Sequence, residues 1–190
     1  MLAQCNGRAL VQAGVCDNAT MKPLIILSHG LHSGPDATKV SALAAIAAPL
    51  GFDCVRPDYR DLDASHDVKR IDDRIARLVA QVSPGRPVIL AGSSMGAFIS
   101  AHASLQVSCI GLFLIALPVT IPAYDRHFDA ARVPTTLLHG WDDDLCPVED
   151  AMAFARARGD AVVLVRDDHR LSAHVDFVGQ QFALFLEQFG

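Results

Sequence analysis

The chain has 190 residues, enough for one domain with a sizeable core and little more. Hydrophobic residues make up 51% and charged residues 19%, a balance that suits a soluble globular protein. A formal net charge of −5 supplies no electrostatic reason to bind nucleic acid or an anionic membrane, and no apolar run reaches the length of a membrane span.

Residues 1–22 are weakly patterned, with Ala9-Leu10-Val11 as a candidate short edge strand. Residues 1–20 lack the charged start and long apolar core of a secretory signal. Leu24-Ile25-Ile26-Leu27 reads as a buried strand, ended by Ser28-His29-Gly30. Asp36 is positioned to cap a helix whose Val40, Leu43, Ala47 and Leu50 share one face, and Pro49 and Gly51 end it. Residues 52–56 form the next strand, stopped by Pro57, and residues 58–65 a polar loop. From Asp67 a helix sets Val68, Ile71, Ile75, Leu78, Val79 and Val82 on one face, with Asp72, Arg74 and Arg77 opposite.

Val88-Ile89-Leu90-Ala91 is a second buried strand, and Gly92-Ser93-Ser94-Met95-Gly96 follows it in the form G-x-S-x-G. A helix of small residues begins directly afterwards at Ala97. Strand, sharp turn and helix form the context in which a strained serine stands exposed as a nucleophile. Residues 109–117 are another strand, and 118–132 a loop containing Tyr124 and Phe128. A strand at 135–138, a helix from Pro147 to Gly159, a strand at 161–165 and a helix carrying Val178, Phe182, Phe185 and Phe189 complete the chain. The alternation predicts an α/β fold over residues 1–190, one domain with a mostly parallel central sheet and helices on both faces.

A serine nucleophile needs a base, and the base needs an orienting group. On such a sheet these arrive in the order Ser, acid, His, each beyond the carboxyl end of a strand. The acids on offer are Asp142, Asp143 and Asp144; the bases are His169 and His174. The five cysteines (Cys5, Cys16, Cys54, Cys109 and Cys146) are odd in number and scattered, without a CxxC pair. They read as reduced, mostly buried thiols of a cytoplasmic protein and not as a zinc site.

Four segments in order resemble the α/β-hydrolase superfamily, and within it a small serine esterase: Ser28-His29-Gly30-Leu31, the G-x-S-x-G at 92–96, His139-Gly140-Trp141-Asp142-Asp143-Asp144-Leu145-Cys146-Pro147, and Asp168-His169. The third follows the family's HGxxDxxVP, with Cys146 in the valine's position. The resemblance implies Ser94 as nucleophile, Asp143 as acid by that register, and His169 as base. Backbone N–H groups of Leu31 and Met95 would form the oxyanion hole. It implies a small-molecule ester as substrate, no cofactor, no metal, and neither nucleic acid nor membrane as partner. Thioesters, amides and acylated lipids are alternative substrates of the same triad; a non-catalytic binding scaffold is the alternative outside enzymes.

No segment is long enough for a cap domain. The loop 118–132 is therefore expected to rim the site, with Tyr124 and Phe128, beside Leu117 and Pro118, either lining a pocket or packing on the core. His29 and His139 are expected to hold loop geometry through backbone hydrogen bonds, and Asp58 with Arg60 to form a salt bridge. His32, His66, His102 and His127 read as surface or helix residues.

Overall fold

The computed structural model describes residues 22–64, 67 and 70–190. The strand expected at Ala9-Leu10-Val11, and Cys5, Cys16, His66 and Val68, lie outside these residues.

Apolar β-branched and leucine-rich runs that must be covered on both faces form parallel strands. They are β1 (Leu24–Ser28), β2 (Cys54–Val55), β3 (Val88–Ser93), β4 (Cys109–Ile115), β5 (Thr135–Gly140) and β6 (Ala161–Val165). The sheet order is β2-β1-β3-β4-β5-β6, and every pairing is parallel. The helices are α1 (Thr38–Ala47), α2 (Arg60–Ala64), α3 (Ile71–Val79), α4 (Met95–Ala103), α5 (Val148–Arg158) and α6 (Val175–Leu186). Strand alternation splits the core in two. Leu24 and Ile26 of β1 face the layer of α2 to α5, whereas Ile25 and Leu27 face α1 and α6. Winding reverses between β1 and β3, the point at which an open parallel sheet leaves a crevice beyond its carboxyl ends. Among the described residues no helix is long and apolar enough to cross a membrane.

Several local expectations are corrected. Asp36 does not cap α1: the helix starts at Thr38, after Ala37 N–H bonds Gly34 O, and no side chain caps it. Leu50 lies past the end of α1 and is exposed. Strand β2 is only two residues long, because at the sheet edge it has β1 alone to pair with, while Phe52 turns into the core. The polar loop at 58–65 contains α2, because Leu62 inserts into the core and its N–H bonds Tyr59 O. Arg74, assigned to the polar face of its helix, is fully buried and paired with Asp63. A long-range ion pair of this kind overrides the helical periodicity. The Asp58–Arg60 salt bridge forms as expected, at 2.5 Å.

His102 is a helix residue, as one of its two expected settings has it, but it is buried. It lies in α4, and all nine residues of that helix are buried against the central strand. Its ring packs against Phe98, Tyr124 and Phe128, and neither ring nitrogen has a hydrogen-bond partner among the described residues. Burial, assisted by Arg126, pushes its pKa down from 6.5 to about 4. The unfolded chain therefore takes up a proton on His102 well before the folded one does, and stability falls as pH drops through that window. Between about pH 7 and pH 5 this residue should cost about 2 kcal/mol. Urea unfolding at the two pH values reads it: His102→Leu should lose less stability on acidification than the parent, and equal losses would contradict the assignment.

Candidate active site

The chain leaves β3 and enters α4 through one residue. Ser94 sits there with φ 56° and ψ −123°, a conformation that costs a non-glycine residue about 1–3 kcal/mol. The turn is held by Ser94 N–H donating to Ile115 O at 2.9 Å and by Ser94 O accepting from the N–H groups of Ala97 and Phe98. The flanking glycines permit the close crossing. A Cβ on Gly92 would collide with the Gly96 carbonyl, and one on Gly96 with the backbone of Ser28.

Beyond the ends of β5 and β6 the fold brings two further side chains to this turn. His169 Nε2 is 2.9 Å from Ser94 Oγ, and His169 Nδ1 is 2.8 Å from Asp143 Oδ2. The Asp143 carboxylate is fully buried and the His169 side chain 15% exposed, so the carboxylate is shielded while the imidazole reaches solvent. Four donors surround that carboxylate. Leu145 and Cys146 N–H bond Oδ1 at 3.0 and 2.8 Å; His169 and His139 approach Oδ2. His139 Nε2 meets two acceptors, Cys146 O at 2.8 Å and Asp143 Oδ2 at 3.1 Å, so it carries the proton. The expected loop role of His139 is observed, and its second role, steadying Asp143, escaped sequence reasoning. The only signal was its position at the head of the HGxxD segment.

The rival residues lie apart from Ser94. Asp142 and Asp144 are exposed, and neither pairs with His169. His174 forms a separate pair, its Nδ1 2.8 Å from Asp167 Oδ2.

Of the residues expected to supply oxyanion donors, Leu31 lines the same cleft as Ser94, and Met95 follows Ser94 directly in the chain. Met95 N–H opens α4, and neither it nor Leu31 N–H has a hydrogen-bond partner among the described residues. His29 shapes the loop that carries Leu31. Its Nδ1–H donates to Gly30 O at 2.8 Å, and its Nε2 accepts Tyr59 N–H at 3.1 Å. Burial lowers the His29 pKa, in keeping with a neutral ring of that single tautomer.

Ser94 opens into a cleft of about 760 Å³. Its walls come from the loop after β1, the start of α1, Leu145, and the segment around His169 and Arg170. The rim expected from loop 118–132 is not observed, and neither Tyr124 nor Phe128 lines the cleft. Both instead pack on Phe98 of α4, with ring centroids 5.7 and 5.0 Å away, because α4 needs covering on its outer side. Cys146 is buried beside Asp143, and its thiol is pushed up to about 12 by burial and by that carboxylate.

A family model described as "Alpha/beta hydrolase domain" matches residues 21–177. A solved structure assigned to the alpha/beta hydrolase superfamily, from Xanthomonas campestris pv. campestris, shares 41% identity. It covers 88% of this chain and 99% of its own, with a TM-score of 0.81. Est1E from Butyrivibrio proteoclasticus has 16% identity over 90% of this chain and 89% of its own, with a TM-score of 0.70. The thioesterase domain from the curacin biosynthetic pathway has 16% identity over 87% and 91%, with a TM-score of 0.62. The two distant likenesses concern the fold alone. No curated protein matches the chain.

Proposed function

The chain belongs to the alpha/beta hydrolase family, and from that premise we propose that it is a serine hydrolase cleaving small carboxylic esters by Ser-His-Asp acyl transfer. The observation that carries this reading is the continuous hydrogen-bond chain from Ser94 Oγ through both ring nitrogens of His169 to Asp143. His169 Nε2 takes the Ser94 proton as Oγ attacks the ester carbonyl. Asp143 accepts from Nδ1–H, which keeps the Nε2 lone pair directed at the serine and offsets the charge that develops on the ring. The N–H groups of Met95 and Leu31 bind the tetrahedral oxyanion. His169 then protonates the leaving alcohol, and water repeats the sequence on the acyl-enzyme.

The acid follows as a graded prediction. Asp143→Asn should lower kcat by roughly 10²–10⁴, because the amide favours the wrong imidazole tautomer. Asp142→Asn and Asp144→Asn should stay within about tenfold of the parent, since both side chains are exposed and neither pairs with His169. The opposite ranking would move the acid by one residue.

Substrate size follows from the cleft walls. Leu31, Val40, Leu145 and Val175 are apolar, but His32, Ser33, Lys39, Arg170 and Ser172 stand among them. Each methylene that finds apolar wall contributes about 0.8 kcal/mol, and specificity stops rising where the wall turns polar. We expect the highest kcat/KM for acyl chains of about C2 to C6 and no rise when the substrate forms micelles. A series of p-nitrophenyl esters across and beyond that range checks this, and a maximum at about C12 or longer would overturn it. Matched thioesters and amides in the same assay separate the ester reading from the thioesterase and amidase readings.

A further inference from the structure

We infer that Asp143, Cys146 and His169 form a binding site for a borderline-soft divalent cation such as Zn²⁺, and that the bound ion shuts the enzyme off. One ligating atom from each residue lies within 4.8 Å of the others. Carboxylate, thiolate and imidazole are the donors zinc takes, and three protein donors leave a fourth position for water. Bonds of about 2.0–2.3 Å to such donors set them about 3.2–3.8 Å apart, so the three groups need shift by only about 1 Å. Cys146 also lines a cavity of about 50 Å³ with Leu117, Pro118, Leu145 and Pro147, large enough for a water beside the ligand cluster. Leu145 is 70% exposed and lines both this cavity and the Ser94 cleft, so the two spaces adjoin at its side chain.

Inhibition follows from the protons. The cation displaces the Cys146 thiol proton to solvent. Its bond to His169 Nδ1 uses that nitrogen's lone pair, so the ring's one proton moves to Nε2. An Nε2 that carries a proton cannot accept the one on Ser94. The bond between Nδ1 and Asp143, 2.8 Å long in the free protein, is replaced by the metal bridge. Inhibition rests on the function proposed above, whereas the binding site does not.

The test uses the full chain with Cd²⁺ as an optical probe and Zn²⁺ as an inhibitor. The parent should show a thiolate-to-Cd²⁺ absorbance with about one equivalent, and this band should remain in the parent-minus-Cys146→Val difference spectrum, in which the other cysteines cancel. His169→Ala keeps the thiol and should weaken the same titration by about tenfold or more, so the site is tested even where Cys146→Val folds poorly. Ester hydrolysis by the parent, normalised to its metal-free rate, should fall at least about tenfold in Zn²⁺ and return with EDTA. Cys146→Val should need about tenfold more Zn²⁺ for the same loss. Identical titrations in parent and variants would overturn the site. An absorbance change at Cys146 in a protein that hydrolyses no ester would keep the site and reject the function.

Discussion

Ser94→Ala should lower kcat on a short-chain ester by roughly 10⁴–10⁶ while leaving the fold intact. Oγ is the atom that bonds to the acyl carbon in the proposed reaction, and alanine retains nothing that can replace it. The residual rate would reflect what the proposed oxyanion donors Met95 and Leu31 and the cleft achieve with water alone. The substitution removes one oxygen from a residue whose backbone φ is 56°, a conformation that strains alanine as it strains serine. The melting temperature should therefore stay close to the parent's. A variant that keeps a tenth of the parent's activity would remove Ser94 from the mechanism.

His169→Ala should cost nearly as much, because nucleophile and base act as a unit and losing either disables both. The control is His174→Ala, which should leave kcat within a few-fold of the parent. Both histidines follow β6 and both contact an aspartate, so sequence position alone distinguishes them poorly. Geometry separates them: His169 spans Ser94 and Asp143, whereas His174 pairs with Asp167. A dead His174→Ala beside an active His169→Ala would reverse the assignment of the base.

The parts of this architecture written as local patterns were legible in advance. The apolar runs at 24–27, 88–91 and 161–165 are strands, and the serine turn falls between β3 and α4. A strand buried on both faces needs a continuous apolar run, and an elbow needs small residues at fixed positions, so each declares itself over a few residues. What escaped notice depended on contacts across many residues. Arg74 sits on the polar side of its helix by periodicity, yet the fold buries it against Asp63. His102 carried no partner pattern, and in the fold it is enclosed by aromatic rings. The loop 118–132 was the natural candidate to overhang the serine, but its aromatic side chains are taken up in covering α4. Cys146 read as an isolated thiol, since no spacing rule links it to His169 across the intervening helix and strand.

The most direct test of the central claim is the intact mass of the protein after reaction with a fluorophosphonate, followed by peptide mapping. The account predicts one covalent adduct per chain, on Ser94, formed quickly by the parent and not by Ser94→Ala. It also predicts that adduct formation slows steeply in His169→Ala, because phosphonylation of the hydroxyl needs the same base. An unlabelled parent, or an adduct that persists in Ser94→Ala, would contradict it.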